Sequence, residues 1–277
     1  MRTGSGDAGP DGNGARVSRL VRVEADPATD FATARPGSLQ VLLGQNSVFA
    51  NIGNPAARND YTLPSCGTHG AYVADCLASD ENSHSIGTVS FGPDGALYVS
   101  SGDGCSYVSA QPVCTRAVDL DSLSGKILRI DPLSGAGLAD NRYATDDLQS
   151  NRSKVYQLGL RNPFRFSFDG ETSAFFVGDV GWNTWEEINH GNAGANFGWP
   201  CFEGGNGNNV EQSAYSDQPR CVELQMSGAA ITPALFAYVH QPPMGNAVLV
   251  GDVYRGTRYP ARYRGGLFYT DYNSNCA

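Results

Sequence analysis

Apolar and polar residues alternate along this chain in short runs bounded by Gly, Pro, Asn and Asp, which is the pattern of β-strands and tight turns. The clearest run is HSIGTVSFGPDGALYVSSGDG, residues 84–104. Val89 and Phe91 alternate before the breaker group Gly92-Pro93-Asp94-Gly95, and Leu97 and Val99 alternate after it, so the segment predicts a β-hairpin. A related pattern returns in FSFDGETSAFFVGDVG, residues 166–181, and more weakly in GGLFYTDYN, residues 265–273. In the first two copies a turn precedes a strand ending in Gly-Asp, and the two aspartates, Asp103 and Asp179, lie 76 residues apart. Val17 to Val23 and Leu39 to Leu43 also have strand character. NTWEEIN, residues 183–189, admits one or two turns of helix, too short to alter the fold class.

Repeated hairpins with common endings point to radial repetition of sheets, so the chain is expected to be all-β, a β-propeller first and a sandwich second. A length of 277 residues is enough to bury a full core, and an all-β chain of this size often forms one domain, taken here as residues 1–277. Residues 1–16 are Gly-rich and read as a loop or frayed end; residues 44–82 are polar, lack periodicity and read as a long surface excursion.

Composition agrees with many short strands: 34 Gly, 15 Pro, 13 Tyr and 12 Phe stand against 19 Lys and Arg. The net charge of −9 repels phosphate backbones and argues against nucleic acid as a partner. No apolar stretch approaches the ~20 residues of a membrane-spanning helix. Seven cysteines, at 66, 76, 105, 114, 201, 221 and 276, occupy turn-like surroundings without C-x-x-C spacing. Proximity in sequence suggests the pairs Cys66–Cys76, Cys105–Cys114 and Cys201–Cys221, with other connectivities still open. Such a pattern favours an oxidising compartment, secreted or periplasmic, over buried thiols in the cytosol. The polar opening MRTGSGDAGPDGNGAR, which is no secretory leader, and the unpaired Cys276 read as the ends of a piece of a longer protein.

Three groups could carry chemistry. If Pro93 and Asp94 are the central turn residues, partners across the hairpin carry numbers summing to 187, which His84 and Asp103 satisfy. A carboxylate on one imidazole nitrogen fixes the tautomer and leaves the other to accept a proton, the arrangement of a general base with its orienting group. The same pair would arise if the histidine ended a strand and the aspartate capped a turn. In LGLRNPFRFSFD, Pro163 keeps Asn162 out of the helical region, so Arg161 and Asn162 lie at a sharp strand-end turn where a guanidinium fork suits carboxylate or quinone oxygens. A structural salt bridge is the simpler alternative for Arg161. GDVGWNTWEEIN combines Gly-rich carbonyls with Asp179, Glu186 and Glu187, the oxygen donors that calcium prefers, although an acidic surface loop would look alike. His69, His190 and His240 have no partner pattern.

Taken in order, HSIGTVSFGPDGALYVSSGDG, GKILRIDP, LGLRNPFRFSFD, GDVGWNTWEEINHGNAGANFGWPCFEG and VYRGTRYPARYRGGLFYTDY resemble the glucose/sorbosone dehydrogenase family over residues 84–272. The resemblance implies a six-bladed propeller that uses pyrroloquinoline quinone (PQQ) and Ca²⁺ to oxidise an aldose-type sugar, passing electrons to a quinone, cytochrome or dye. It implies that His84 is the catalytic base, Asp103 its orienting carboxylate, and Arg161 and Asn162 contacts of cofactor and substrate. Arg255 would be a basic cofactor contact. The carbonyls of Gly181 and Trp182 would hold the cofactor's calcium, and Glu187 a second, structural calcium. Phe164 and Ser83 depart from the family, standing where a polar cofactor contact and an acidic residue are usual. The family's first-blade glutamine and last-blade arginines have no counterpart in this stretch, which implies an incomplete ring. Non-catalytic relatives that resemble Hedgehog-interacting proteins, and calcium-dependent lactonase-like hydrolases in which His84 would activate water, share the fold and remain alternatives.

Overall fold

The computed structural model describes residues 17–52, 65–80, 83–106, 109–240 and 245–272. Residues 1–16, parts of the 44–82 stretch, and Cys276 lie outside the described residues. The strands are β1 (Leu20–Arg22), β2 (Gln40–Leu43), β3 (Ile86–Phe91), β4 (Leu97–Ser101), β5 (Lys126–Ile130), β6 (Val155–Leu158), β7 (Arg165–Phe168), β8 (Phe175–Asp179), β9 (Trp185–His190), β10 (Phe236–Val239), β11 (Val248–Val253) and β12 (Leu267–Asp271). Two short helices, α1 (Asn151–Lys154) and α2 (Pro219–Met226), lie between them.

The strands form four antiparallel meanders in chain order: β1–β2, β3 to β6, β7 to β10, and β11–β12. The first strands of successive sheets meet, β3 against β7 and β7 against β11. This is the arrangement of propeller blades, and among the described residues the sheets form an open arc. NTWEEIN is not helical: β9 is an inner strand, with β8 and β10 bonded to its two edges. A one-turn helix could not replace two ladders of backbone bonds.

The second sheet is wedged between the first and the third, which is why β4 is buried on both faces. Leu97 and Val99 of β4, with Leu128 and Ile130 of β5, pack against Leu42 and Leu43 of the first sheet. The intervening Tyr98 and Ile127 point the other way, towards Phe166, Phe175 and Val177 of the third. Strict alternation along β4 and β5 thus serves two cores at once. Ile188 and Tyr238 meet Val248 and Val250 in the same way between the third and fourth sheets.

Residues 65–80 carry no strand, yet they are tied down rather than draped over the surface. Leu77 sits in the first core, and Asp75 accepts from the buried Lys154 ammonium at 3.0 Å. Three disulfides, Cys66–Cys76, Cys105–Cys114 and Cys201–Cys221, close loops as their spacing suggested. No helix among the described residues is long and apolar enough to cross a membrane.

Because Leu128 is fully buried where two sheets meet, Leu128→Ala is expected to lower unfolding free energy by about 3 kcal/mol, through lost transfer energy and a residual cavity. Val89→Ala, at a half-exposed position of β3, should cost less than about 1 kcal/mol. Urea titration of both variants checks the contrast.

Candidate functional site

The polar cluster lies at one edge of the arc, where β3, β7, β9 and β11 begin and β4 and β8 end. The β3–β4 turn closes with Gly95 N–H on the Gly92 carbonyl at 3.0 Å. Beside it, Phe91 faces Leu97 and Val89 faces Val99, one position away from the count expected for a Pro93-Asp94 centre. The register then shifts between Ile86 and Val89, so that Ile86 faces Ser101. This irregularity restores the pairing that brings His84 level with Asp103. Gly102 is needed there, since a Cβ would lie 2.4 Å from the His84 carbonyl oxygen. His84 itself adopts a left-handed φ of 54°, and its carbonyl accepts the Gly104 N–H at 3.1 Å.

His84 Nδ1 and Asp103 Oδ1 are 2.8 Å apart, and both side chains are buried. Oδ1 also accepts the Cys105 N–H at 2.9 Å, and Oδ2 accepts the Trp199 indole N–H at 2.8 Å. Burial opposes the Asp103 charge, yet His84, Arg161 and the Cys105 N–H together hold its carboxyl below the ordinary carboxylate value. A carboxylate only accepts, so Nδ1 of the neutral ring carries the proton and Nε2 is its basic nitrogen. The backbone of Asp103 is equally committed: its N–H donates to the Arg161 carbonyl at 2.8 Å, and its carbonyl accepts from Arg116 Nε at 2.8 Å. Arg116 is buried and pairs with Asp80 at 2.6 Å, which anchors the loop behind the site.

The second Gly-Asp unit does different work. Asp179 Oδ2 and Oδ1 accept the backbone N–H groups of Arg161 and Asn162, at 2.9 and 2.7 Å, and so fix the Arg-Asn turn. The Arg161 side chain donates through one terminal nitrogen to the carbonyls of Val180, at 3.0 Å, and Gly181, at 2.6 Å. Its guanidinium lies 5.4 Å from the centre of the Trp199 ring. His84, Asp103, Arg161, Asn162 and Gly181 are therefore brought together, with Trp182 beside them through ring contacts to Trp199 and Tyr215.

Behind this layer sits a buried acidic group. Asp179 pairs across the strands with Glu187, Glu186 is bonded to His240 Nδ1, and Glu203 accepts the Trp182 N–H at 2.6 Å. Burial pushes the Glu187 carboxyl up to about 7, helped by the charges of Glu203 and Glu186 and opposed by bonds from Asn189 and Gly204. Burial, reinforced by Glu187, raises Asp179 well above the carboxylate range. One position along the same face of β9, the Asn189 Oδ1 is buried without a hydrogen-bond partner. An all-oxygen donor set with excess negative charge and an orphaned acceptor fits a calcium ion.

Arg255 is not part of this cluster. β11 starts at the site edge and ends at the opposite one, so Arg255 emerges beside the β7–β8 turn. There its Nε donates to Asp169 at 2.8 Å, and a terminal nitrogen lies 3.5 Å from Glu171. Trp199 and Glu203, by contrast, belong to the site but carried no assignment from sequence, though both lie in the quoted GWPCFEG stretch. Of the other histidines, His69 pairs with Asp119 and His190 Nδ1 lies 2.9 Å from the Phe175 carbonyl. Phe164 turns outward and stacks on Arg165.

An arc of antiparallel meander blades with its polar cluster gathered at one edge defines the β-propeller class. Within that class residues 72–270 match Glucose / Sorbosone dehydrogenase, and the chain belongs to this family. The HIPL2 protein of Arabidopsis thaliana is 32% identical over 68% of this chain. Aldose sugar dehydrogenase YliI of Escherichia coli (strain K12) is 28% identical over 42% of it. The chain spans 28% and 29% of those relatives' lengths. A crystal structure of glucose dehydrogenase aligns with 90% of this chain and 56% of its own, at TM-score 0.55 and 21% identity, and shows the shared fold.

A Glu187 value near 7 in the folded state, above the ordinary ~4.5 of an unfolded glutamate, means that its neutral form is favoured by folding. Its contribution is fully present below pH ~4.5 and is lost as pH rises through ~7, at most about 3 kcal/mol. In metal-free buffer, urea midpoints measured from pH 4 to 8 should show this fall, and Glu187→Gln should flatten it.

Proposed function

We propose that this chain carries the active site of a PQQ-dependent aldose dehydrogenase. The observation that carries the reading is the buried His84–Asp103 pair, held in one tautomer beside the Arg161 guanidinium. His84 Nε2 takes the proton of a sugar hydroxyl, and Asp103 stabilises the imidazolium that results. Arg161 and Asn162 would contact the cofactor, since a planar fork of donors suits a developing oxyanion. Bound PQQ supplies the two-electron acceptor that side chains lack, and calcium its Lewis acid.

The two calcium sites would draw on different donors. Glu187 and Asn189 are the candidates for a structural calcium, and the Asn189 amide, whose nitrogen donates to Glu187 at 3.0 Å, would have to turn to present its oxygen. The carbonyls of Gly181 and Trp182 are the candidates for the cofactor's calcium, and Arg161 must first release the Gly181 oxygen that it holds. PQQ, once reduced, would pass its electrons to an acceptor such as a quinone, a cytochrome or a dye. Three disulfides support a secreted or periplasmic location.

Two observations favour a second reading, a binding propeller without turnover. HIPL2 covers more of the chain, at higher identity, than the aldose dehydrogenase does, and Arg161 is spent on backbone carbonyls. Titration of the full protein with PQQ and Ca²⁺, followed by the cofactor's absorbance and by dye reduction with a panel of aldoses, separates the two. Absence of both binding and turnover would remove the dehydrogenase reading. If it holds, His84→Asn should still bind PQQ yet lose about 10³-fold in kcat, because the amide cannot take the proton.

A further inference from the structure

We propose that Trp199 is a positioning residue of this site: its indole N–H locks the Asp103 carboxylate onto His84, while its ring face supports Arg161. The proposal deepens the dehydrogenase reading, on which it rests for the role of His84 as base.

A carboxylate rotates with little resistance about its last side-chain bond, so one contact does not orient it. Asp103 Oδ1 is shared between His84 Nδ1 and the Cys105 N–H. Oδ2 has the Trp199 Nε1–H at 2.8 Å, reaching across 96 positions of sequence. Donors on both oxygens stop that rotation and keep Oδ1 aimed at the imidazole. Indole is also a donor without an acceptor, so it cannot take part in proton traffic, and it favours the charged form of the carboxylate.

Trp199 is itself held rigidly. It is buried, its main-chain N–H donates to the Gly159 carbonyl at 2.9 Å, and its ring meets Tyr215 edge-on at 5.6 Å. The Cys201–Cys221 and Cys105–Cys114 disulfides share its apolar cluster. Packing alone would be served by any large ring. The aim of the N–H at a buried carboxylate, and the guanidinium over the ring at 5.4 Å, are the features that packing does not require. One side chain thereby sets the relative placement of the two groups that the proposed reaction uses, His84 and Arg161.

Trp199→Phe keeps a ring and removes only the donor. In protein labelled with ¹⁵N-histidine, the His84 signals are assigned by their loss in His84→Asn, and ring nitrogen shifts report tautomer and titration. Wild type should show the Nδ1–H tautomer. The variant should show a mixture of tautomers and an imidazole midpoint lower by about one pH unit, because a carboxylate no longer held on Nδ1 stabilises the imidazolium less. With PQQ and Ca²⁺ bound, kcat should fall about tenfold at little change in KM, and the acid limb of the pH profile should move down with the midpoint. Phe202→Leu, which loosens the same cluster without touching Asp103, should lower stability and leave the His84 signals in place. An unchanged tautomer and midpoint in Trp199→Phe, in a protein that is folded, would overturn the proposal. A shifted midpoint in a protein that turns over no sugar would uphold the positioning role and defeat the dehydrogenase reading instead.

Discussion

A carboxylate can be buried only where donors replace the water it has lost, and Asp103 meets that condition by drawing together distant parts of the chain. His84 and Cys105 serve one oxygen, Trp199 serves the other, and the main chain is tied to Arg161 on one side and Arg116 on the other. Remove these partners and the end of β4, the start of β7 and the GWPC loop have no common point. The chemistry of the site and the joining of two blades therefore rest on the same group. That economy explains why the pair lies deep in the structure, where a charge is expensive, instead of at the rim.

The two Gly-Asp units show how one backbone pattern takes on separate tasks. Asp103 turns its carboxylate to an imidazole, whereas Asp179 turns its own to two amide groups of the Arg-Asn turn. Both lie at the end of the second strand of a four-stranded sheet, so the blade supplies the location and the neighbouring loop supplies the use. The acids behind Asp179 then form a buried group whose burial favours their neutral forms, and Asn189 on the same strand adds an unpartnered buried Oδ1.

Much of this was legible in the chain. Alternation in Val89–Phe91 and Leu97–Val99 revealed the hairpin, and its arithmetic joined His84 to Asp103. Two offsets cancelled there: the turn closes one position away from the assumed centre, and the irregularity near Gly87 takes that position back. What stayed hidden depends on direction and burial. Arg255 sits in a local motif, and nothing in those residues tells which end of a strand they leave. The glutamates of β9 were read as oxygen donors, but the residues alone do not distinguish the buried acidic group they form from an acidic surface loop. Trp199 was visible as an aromatic beside a proline, but its value comes from a partner 96 residues away.

The crowding at Gly102 has a consequence for how such chains are recognised. With the His84 carbonyl only 2.4 Å from where a Cβ would stand, every side chain is refused at that position, whatever reaction the protein performs. A glycine before the aspartate is thus a statement about neighbouring main chains, and the same constraint holds in a chain with turnover and in one without. Surveys that count Gly-Asp as a catalytic signature will gather both kinds. Under the proposed reading, the histidine opposite and the tryptophan beneath, rather than the glycine, are the positions tied to turnover.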